Sequence, residues 1–379
     1  MLNQNCQGLD PFVTPLINRV NKSEKIGACR RPLKIHSMNS KNGKLFDCID
    51  LEVPYADQTL KWTIFFDSEC PELGPDFVFN DENFLADPDI ETLMRCVPSL
   101  ANWNYLDSNS LLTVLKELLA HYKDYQIDLL KSHASEKLRF EYESLIKNEN
   151  VCADDVEVIL LNPGTKTAEA KFFIRLEMDF SKLPQRMKYS ANDAAMLMIS
   201  FSGRDWYNVV PQLFLTKSVE EIFGSQEHLQ IPPFPPSDGL LIDYVPRIVQ
   251  FLEEKMENIL LCFTKKKDFI SSLLVLLRGC VMEYDAAEFN RATVLVEKKD
   301  FHFFIHFRVP AGFPRERPEV VLQSAYHMDQ TGHLITHNVN KFLFNIQMEP
   351  LQMIQAIMSH IEENEVDCFQ SYCTRKNRF

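Results

Sequence analysis

Near the start of the chain, apolar and polar residues alternate in "LFDCIDLEVPY" and again in "TLKWTIFFD", and this period of two predicts two β-strands joined by a short polar turn. A proline-punctuated loop and a third strand follow in "CPELGPDFVFND", and Trp62, Phe65 and Phe66 are expected in the core. After an irregular stretch rich in Asp and Asn the period lengthens. Leu112, Leu115, Leu119 and Tyr122 recur at helical spacing in "SLLTVLKELLAHYKDYQIDLL", behind Ser108 and Ser110 as candidate caps.

The last third repeats this order. A helix in "KDFISSLLVLLRG" precedes strands in "RATVLVEKKD" and "FHFFIHFRVP", then the proline loop "GFPRERPEVVLQS" and the irregular "AYHMDQTGHLITHNVNKF". A closing helix, "PLQMIQAIMSHIEE", carries Leu351, Ile354, Ile357, Met358 and Ile361 on one face. The middle third is looser but compatible: a helix in "SEKLRFEYESLIK", four apolar strand runs, the proline-rich "IPPFPPSDG" and a helix in "LLIDYVPRIVQFLEEKMENI". Two copies of one order predict duplicated domains, placed at residues 1–131, 132–262 and 263–363 with a tail at 364–379. The fold class expected is α+β.

Composition narrows the function classes. The 379 residues are enough for two or three domains, and 40 basic against 53 acidic side chains give a net charge of -13, which disfavours direct binding to nucleic acid or anionic lipid. The densest basic run, "TKKKD" at 264–268, reads as a solvated face beside a helix start. The 10 cysteines form no C-x-x-C pair and have no His at zinc-finger spacing, so they read as reduced thiols of an intracellular protein. "MLNQNCQGLD" lacks the features of a signal peptide, and no stretch approaches the roughly 20 apolar residues that span a bilayer, so a soluble cytoplasmic and nuclear protein is expected.

Helix, antiparallel meander, an aromatic-Pro-x-x-x-Pro loop, a long crossover and a packed helix resemble the ubiquitin-conjugating enzyme fold and its inactive relatives, the ubiquitin E2 variant (UEV) and RWD domains. In order, "VPYADQTLKW", "CPELGPDFVF", "LIDYVP", "MEYDAAEF" and "FPRERP" are similar to the BRE family, E2-variant subunits of the BRISC deubiquitinase and its nuclear DNA-damage-response counterpart. The resemblance implies tandem UEV-like domains that serve as a noncatalytic, ubiquitin-binding scaffold. It also implies partners: a JAMM metalloprotease subunit that cleaves lysine-sixty-three-linked ubiquitin chains, an inactive MPN-domain scaffold subunit and a small von Willebrand A-like subunit. The zinc chemistry would then be the partner's, and no cofactor is implied for this chain.

A conjugating enzyme needs a cysteine thiolate to carry ubiquitin and an Asn, within His-Pro-Asn, to stabilise the oxyanion. By the same resemblance, Tyr326-His327-Met328-Asp329 stands where Tyr-His-Pro-Asn would, and Gly332-His333-Leu334-Ile335 where Gly-x-Ile-Cys would. Ile335 offers no nucleophile, and Asp329 places negative charge where a donor is needed. In the N-terminal copy, Asp87-Pro88-Asp89 resembles a degraded His-Pro-Asn; Cys96 follows near the enzyme spacing, and Trp103 lies downstream. Cys96 thus keeps a divergent conjugating enzyme open as an alternative, beside a trafficking-type E2 variant that binds peptides.

Other chemistry finds little support. His327, His333 and His337 with Asp329 match no helical or zincin metal spacing, so no metal site is expected. Neither a G-x-G-x-x-G nor a P-loop pattern is present, nor a G-x-S-x-G elbow. "IPPFPPSDG" reads either as a ligand for an aromatic groove or as the rigid entry to the helix that follows.

Overall fold

Four antiparallel strands form the first sheet: β1 (Lys34–Asn39), β2 (Cys48–Tyr55), β3 (Gln58–Phe65) and β4 (Asp76–Phe79), in the order β1-β2-β3-β4. The structure is a computed structural model that describes residues 10–22, 26–28, 31–40, 46–132, 135–149, 151–162, 165, 168–183, 193–224, 229–236 and 239–376. Ahead of the sheet, α1 (Val13–Asn21) buries Val13, Leu16, Ile17 and Val20. The β2–β3 turn, Ala56-Asp57, has φ of 43° and 60°, the two-residue type I′ geometry that matches strand twist. Successive strand residues face opposite sides. Trp62, Ile64 and Phe66 are therefore buried, while Phe65, expected in the core beside them, lies half-buried on the other face.

The crossover contains two short helices, α2 (Ile90–Cys96) and α3 (Pro98–Ala101), and leads to α4 (Ser110–Ser132). Leu112, Leu115, Leu119 and Tyr122 are buried on α4 as their spacing predicts. Ser110 is not the expected cap: it is the first helical residue, and its hydroxyl donates to the Asn104 carbonyl at 2.7 Å.

Next come α5 (Glu136–Ile146), with Ser135 as its N-cap, and a second antiparallel sheet: β5 (Val156–Leu161), β6 (Glu169–Leu176), β7 (Ala195–Ser202) and β8 (Asn208–Leu215). The short α6 (Lys217–Phe223) follows. Ile159, Phe173, Met196 and Met198 of this sheet share one core with Ile49, Leu51 and Val53 of the first sheet and with the apolar face of α4. The Tyr55 hydroxyl donates to the Val158 carbonyl at 2.8 Å, and Glu157 accepts the Ala28 and Ala56 amides, each at 2.7 Å. Residue 131 thus falls at the end of a helix whose core continues beyond it. In the proline-rich segment, Phe234 packs on Tyr244 with ring centroids 4.9 Å apart, and the Tyr244 hydroxyl donates to the Pro232 carbonyl, as a rigid helix entry requires. Residues 237 and 238 of that motif, like Cys6 and Cys29 and the N-terminal nonamer, lie outside the described residues.

A single helix, α7 (Leu241–Leu276), spans the place where two helices were expected. Its sequence between the two runs has no Gly or Pro to break it. The described residues separate within it into two compact units, one ending at Phe251 and the other resuming at Leu252. Between Met256 and Lys266 no residue of the helix is buried. The basic run is therefore mid-helix, and only part of it is solvated. Lys266 is buried because its ammonium donates to Asn290 Oδ1 at 2.9 Å.

The second unit holds a five-stranded antiparallel sheet: β9 (Val281–Tyr284), β10 (Arg291–Lys298), β11 (Phe301–Arg308), β12 (Glu319–Met328) and β13 (Leu334–Val339). The β10–β11 turn, Lys299-Asp300, repeats the type I′ geometry with φ of 51° and 64°. Beyond it, α8 (Pro350–His360) buries Ile354, Ile357 and Met358 but leaves Leu351 exposed, contrary to the face predicted. The expected tail is instead a π-helical turn, Ile361–Glu365, and α9 (Val366–Lys376). Val366, Phe369 and Cys373 are buried there because Phe369 packs edge-on against Phe301 at 5.7 Å.

Candidate functional site

In the C-terminal hairpin, Met328 of β12 pairs with Leu334 of β13, and the loop between them is organised by one carboxylate. Asp329 Oδ1 accepts the Thr331 amide at 2.8 Å, the Thr331 hydroxyl at 2.6 Å and the His333 amide at 3.1 Å. The Thr331 hydroxyl and then these amides hold the carboxyl below its usual range. Gly332 supplies the left-handed φ of +81° that the turn needs. Asp329 therefore builds its own loop. Ile335, on β13 just beyond this turn, is 4 % exposed and belongs to the second unit's apolar core.

Behind the hairpin lies a polar set that sequence reading missed. Ser324 Oγ lies 2.8 Å from His327 Nδ1 and accepts the His327 amide at 3.1 Å, and the Ser324 side chain partly offsets the burial that raises the Cys373 thiol. All three residues are buried. Burial pushes the thiol up to about 11, so it stays protonated at neutral pH, and only a thiolate attacks. Burial also pushes His327 below its usual value, which keeps the ring neutral. The set satisfies polar groups in a core. Its signal was hidden because Cys373 sits on a helix that reads in sequence as a tail.

The three histidines weighed for metal binding do not converge. His327 turns to Ser324, His333 Nδ1 lies 2.9 Å from Thr331 Oγ1, and His337 Nε2 lies 2.9 Å from Glu365 Oε2. Glu365 also meets His360 Nε2 at 3.2 Å. Among the described residues no cluster of His, Cys, Asp or Glu suits a metal ion.

In the first unit, Asp89 is the N-cap of α2, where its carboxylate accepts the Thr92 amide at 2.7 Å. Cys96 is the last residue of that helix, half-buried against the first core, and no described side chain hydrogen-bonds its sulfur. Trp103 anchors the crossover by donating Nε1–H to the Pro71 carbonyl at 3.2 Å. An acceptor carboxylate at Asp89 and an unassisted thiol at Cys96 provide neither an oxyanion donor nor a base.

The chain matches the family model described as "Brain and reproductive organ-expressed protein (BRE)" over residues 7–328. It is 34% identical over 335 residues to the "BRISC and BRCA1-A complex member 2" of Branchiostoma floridae, covering 86% of this chain and 85% of that protein. It is 32% identical over 368 residues to the protein of the same name from Danio rerio, covering 93% of each.

Proposed function

The chain belongs to the BRE family, and from that premise we propose that it is a noncatalytic scaffold and ubiquitin-binding subunit of a JAMM-type deubiquitinase assembly acting on lysine-sixty-three-linked chains. The relatives' names, which place them in BRISC and BRCA1-A complexes, support the assembly. On this reading the partners are the metalloprotease, its inactive MPN-domain companion, the von Willebrand A-like subunit and ubiquitin chains, met in both cytoplasm and nucleus. The repeated meanders with a type I′ turn after the second of four shared strands support tandem UEV-like units.

The observation that carries the noncatalytic role is Ile335: where the resemblance puts a thioester-forming cysteine, the chain buries a hydrocarbon. Incubation with ubiquitin-activating enzyme, ATP and ubiquitin is expected to yield no reductant-sensitive adduct. An adduct that disappears in Cys96→Ser would replace this reading with that of a divergent conjugating enzyme.

A further inference from the structure

The helix α2 has a face that the degenerate site does not use. It buries none of its residues, and Ile90 and Met94 are 75 % and 56 % exposed. Residues four apart on a helix share a face, so two large apolar side chains stand together in water. Scattered exposed apolar residues are ordinary; a neighbouring pair on the outward face of a helix whose other side, Thr92, Leu93 and Cys96, is only half-buried is not. Asp87, Asp89 and Glu91 frame the N-terminal end of this face, and Arg95 is exposed at the other end. Hydrogen bonds from Thr92 keep the Asp89 carboxyl below its usual range, so it is charged at neutral pH.

This frame selects the occupant by charge. Three carboxylates against one guanidinium repel phosphate backbones and anionic lipid headgroups. Exposed ion pairs contribute little affinity each, so the apolar pair supplies most of the binding and the carboxylates supply steering and register. We propose that this face of α2 seats a segment of a partner subunit that presents apolar side chains flanked by lysine or arginine. The proposal rests on the subunit reading given above and adds the surface and the chemistry of the partner.

The test uses the full chain and the metalloprotease, MPN and von Willebrand A-like subunits produced together. Two double variants, Ile90→Ser with Met94→Ser and Asp87→Lys with Glu91→Lys, leave the Asp89 cap and every buried residue in place, so melting should be unchanged. Each is expected to weaken binding to the remaining subunits by about tenfold or more. Wild-type binding should fall as salt rises, and the charge-reversed variant should lose that dependence. Wild-type affinity in both variants overturns the inference while leaving the subunit reading intact. A chain that is dimeric alone and becomes monomeric in the serine variant overturns it in favour of a second copy. Failure of the wild-type chain to bind any of the three subunits overturns both.

Discussion

Glu157 ties three distant segments together: its two oxygens accept the amides of Ala28 and Ala56 while its own strand runs through the first unit. Removing it leaves two buried N–H groups without acceptors, a loss of about 2–5 kcal/mol. All three tryptophans, Trp62, Trp103 and Trp206, belong to the first unit, so urea unfolding followed by tryptophan fluorescence reads that unit alone. Glu157→Ala is expected to shift its midpoint strongly downward, and an unchanged midpoint would show that the carboxylate is dispensable. Gly27→Ala should act in the same direction, since a Cβ there would lie 2.6 Å from Glu157 Oε1 on a backbone with φ of +69°. None of this was legible in the sequence, because Glu157 and its partners lie 129 and 101 residues apart. That Ile335 and Asp329 stand at degenerate active-site positions comes from the resemblance; that Ile335 lies in the core is what the structure adds. That Asp329 instead holds its own turn is visible only in three dimensions.

His327 gives the residue scale a pH dependence. Its folded pKa lies below the ordinary 6.5, so the unfolded chain binds the proton more readily. Its contribution is therefore intact above about pH 6.5 and is lost as pH falls below that value toward the folded one. Hydrogen exchange along β12 should accelerate on mild acidification, and His327→Gln should flatten that acid limb. Equal acid sensitivity in the variant would assign the effect to another group.

Among the elements, α9 differs most from its reading as a tail. Its apolar residues Val366, Phe369 and Cys373 are too few and too widely interrupted by polar ones to announce a helix, and packing on Phe301 decides the matter. Phe369→Ala should cost about 3–5 kcal/mol of second-unit stability, and removal of residues 364–379 should cost more. Calorimetry that finds the second unit's transition unmoved by either change would return the segment to a tail. The strands that alternate over a buried face were legible from that pattern; the edge strands β1, β9 and β13 were not, and β13 lies in a segment read as irregular, because they bury few or no side chains and show no clean alternation. No break falls in α7: the residues between Glu257 and Lys265, Asn258 to Thr264, include no Gly or Pro, so nothing interrupts the helix where two were expected.

At the scale of the whole molecule, the three-part division at residues 131 and 262 is a proposal that meets a shared core. Residues 1–131 alone would expose the side of α4 that packs against Ile159, Phe173, Met196 and Met198. A chain ending at 131 is expected to aggregate or bind a hydrophobic dye, whereas one ending at 251 should give a cooperative transition. Two cooperative transitions from separately soluble halves would favour the finer division. For assembly, we propose that the N-terminal unit docks the metalloprotease core and the C-terminal one holds the von Willebrand A-like subunit. A chain lacking residues 264–379 should then keep the former and lose the latter.

The central claim, that this chain is an assembly subunit and not an enzyme, is tested most directly by isolating the tagged full-length protein from cells and identifying the co-isolated chains by mass spectrometry. The expected result is a JAMM metalloprotease, an inactive MPN-domain protein and a von Willebrand A-like protein in stable, stoichiometric amounts. Recovery without any of these, or with ubiquitin-activating enzyme and a thioester-linked ubiquitin in their place, would contradict it.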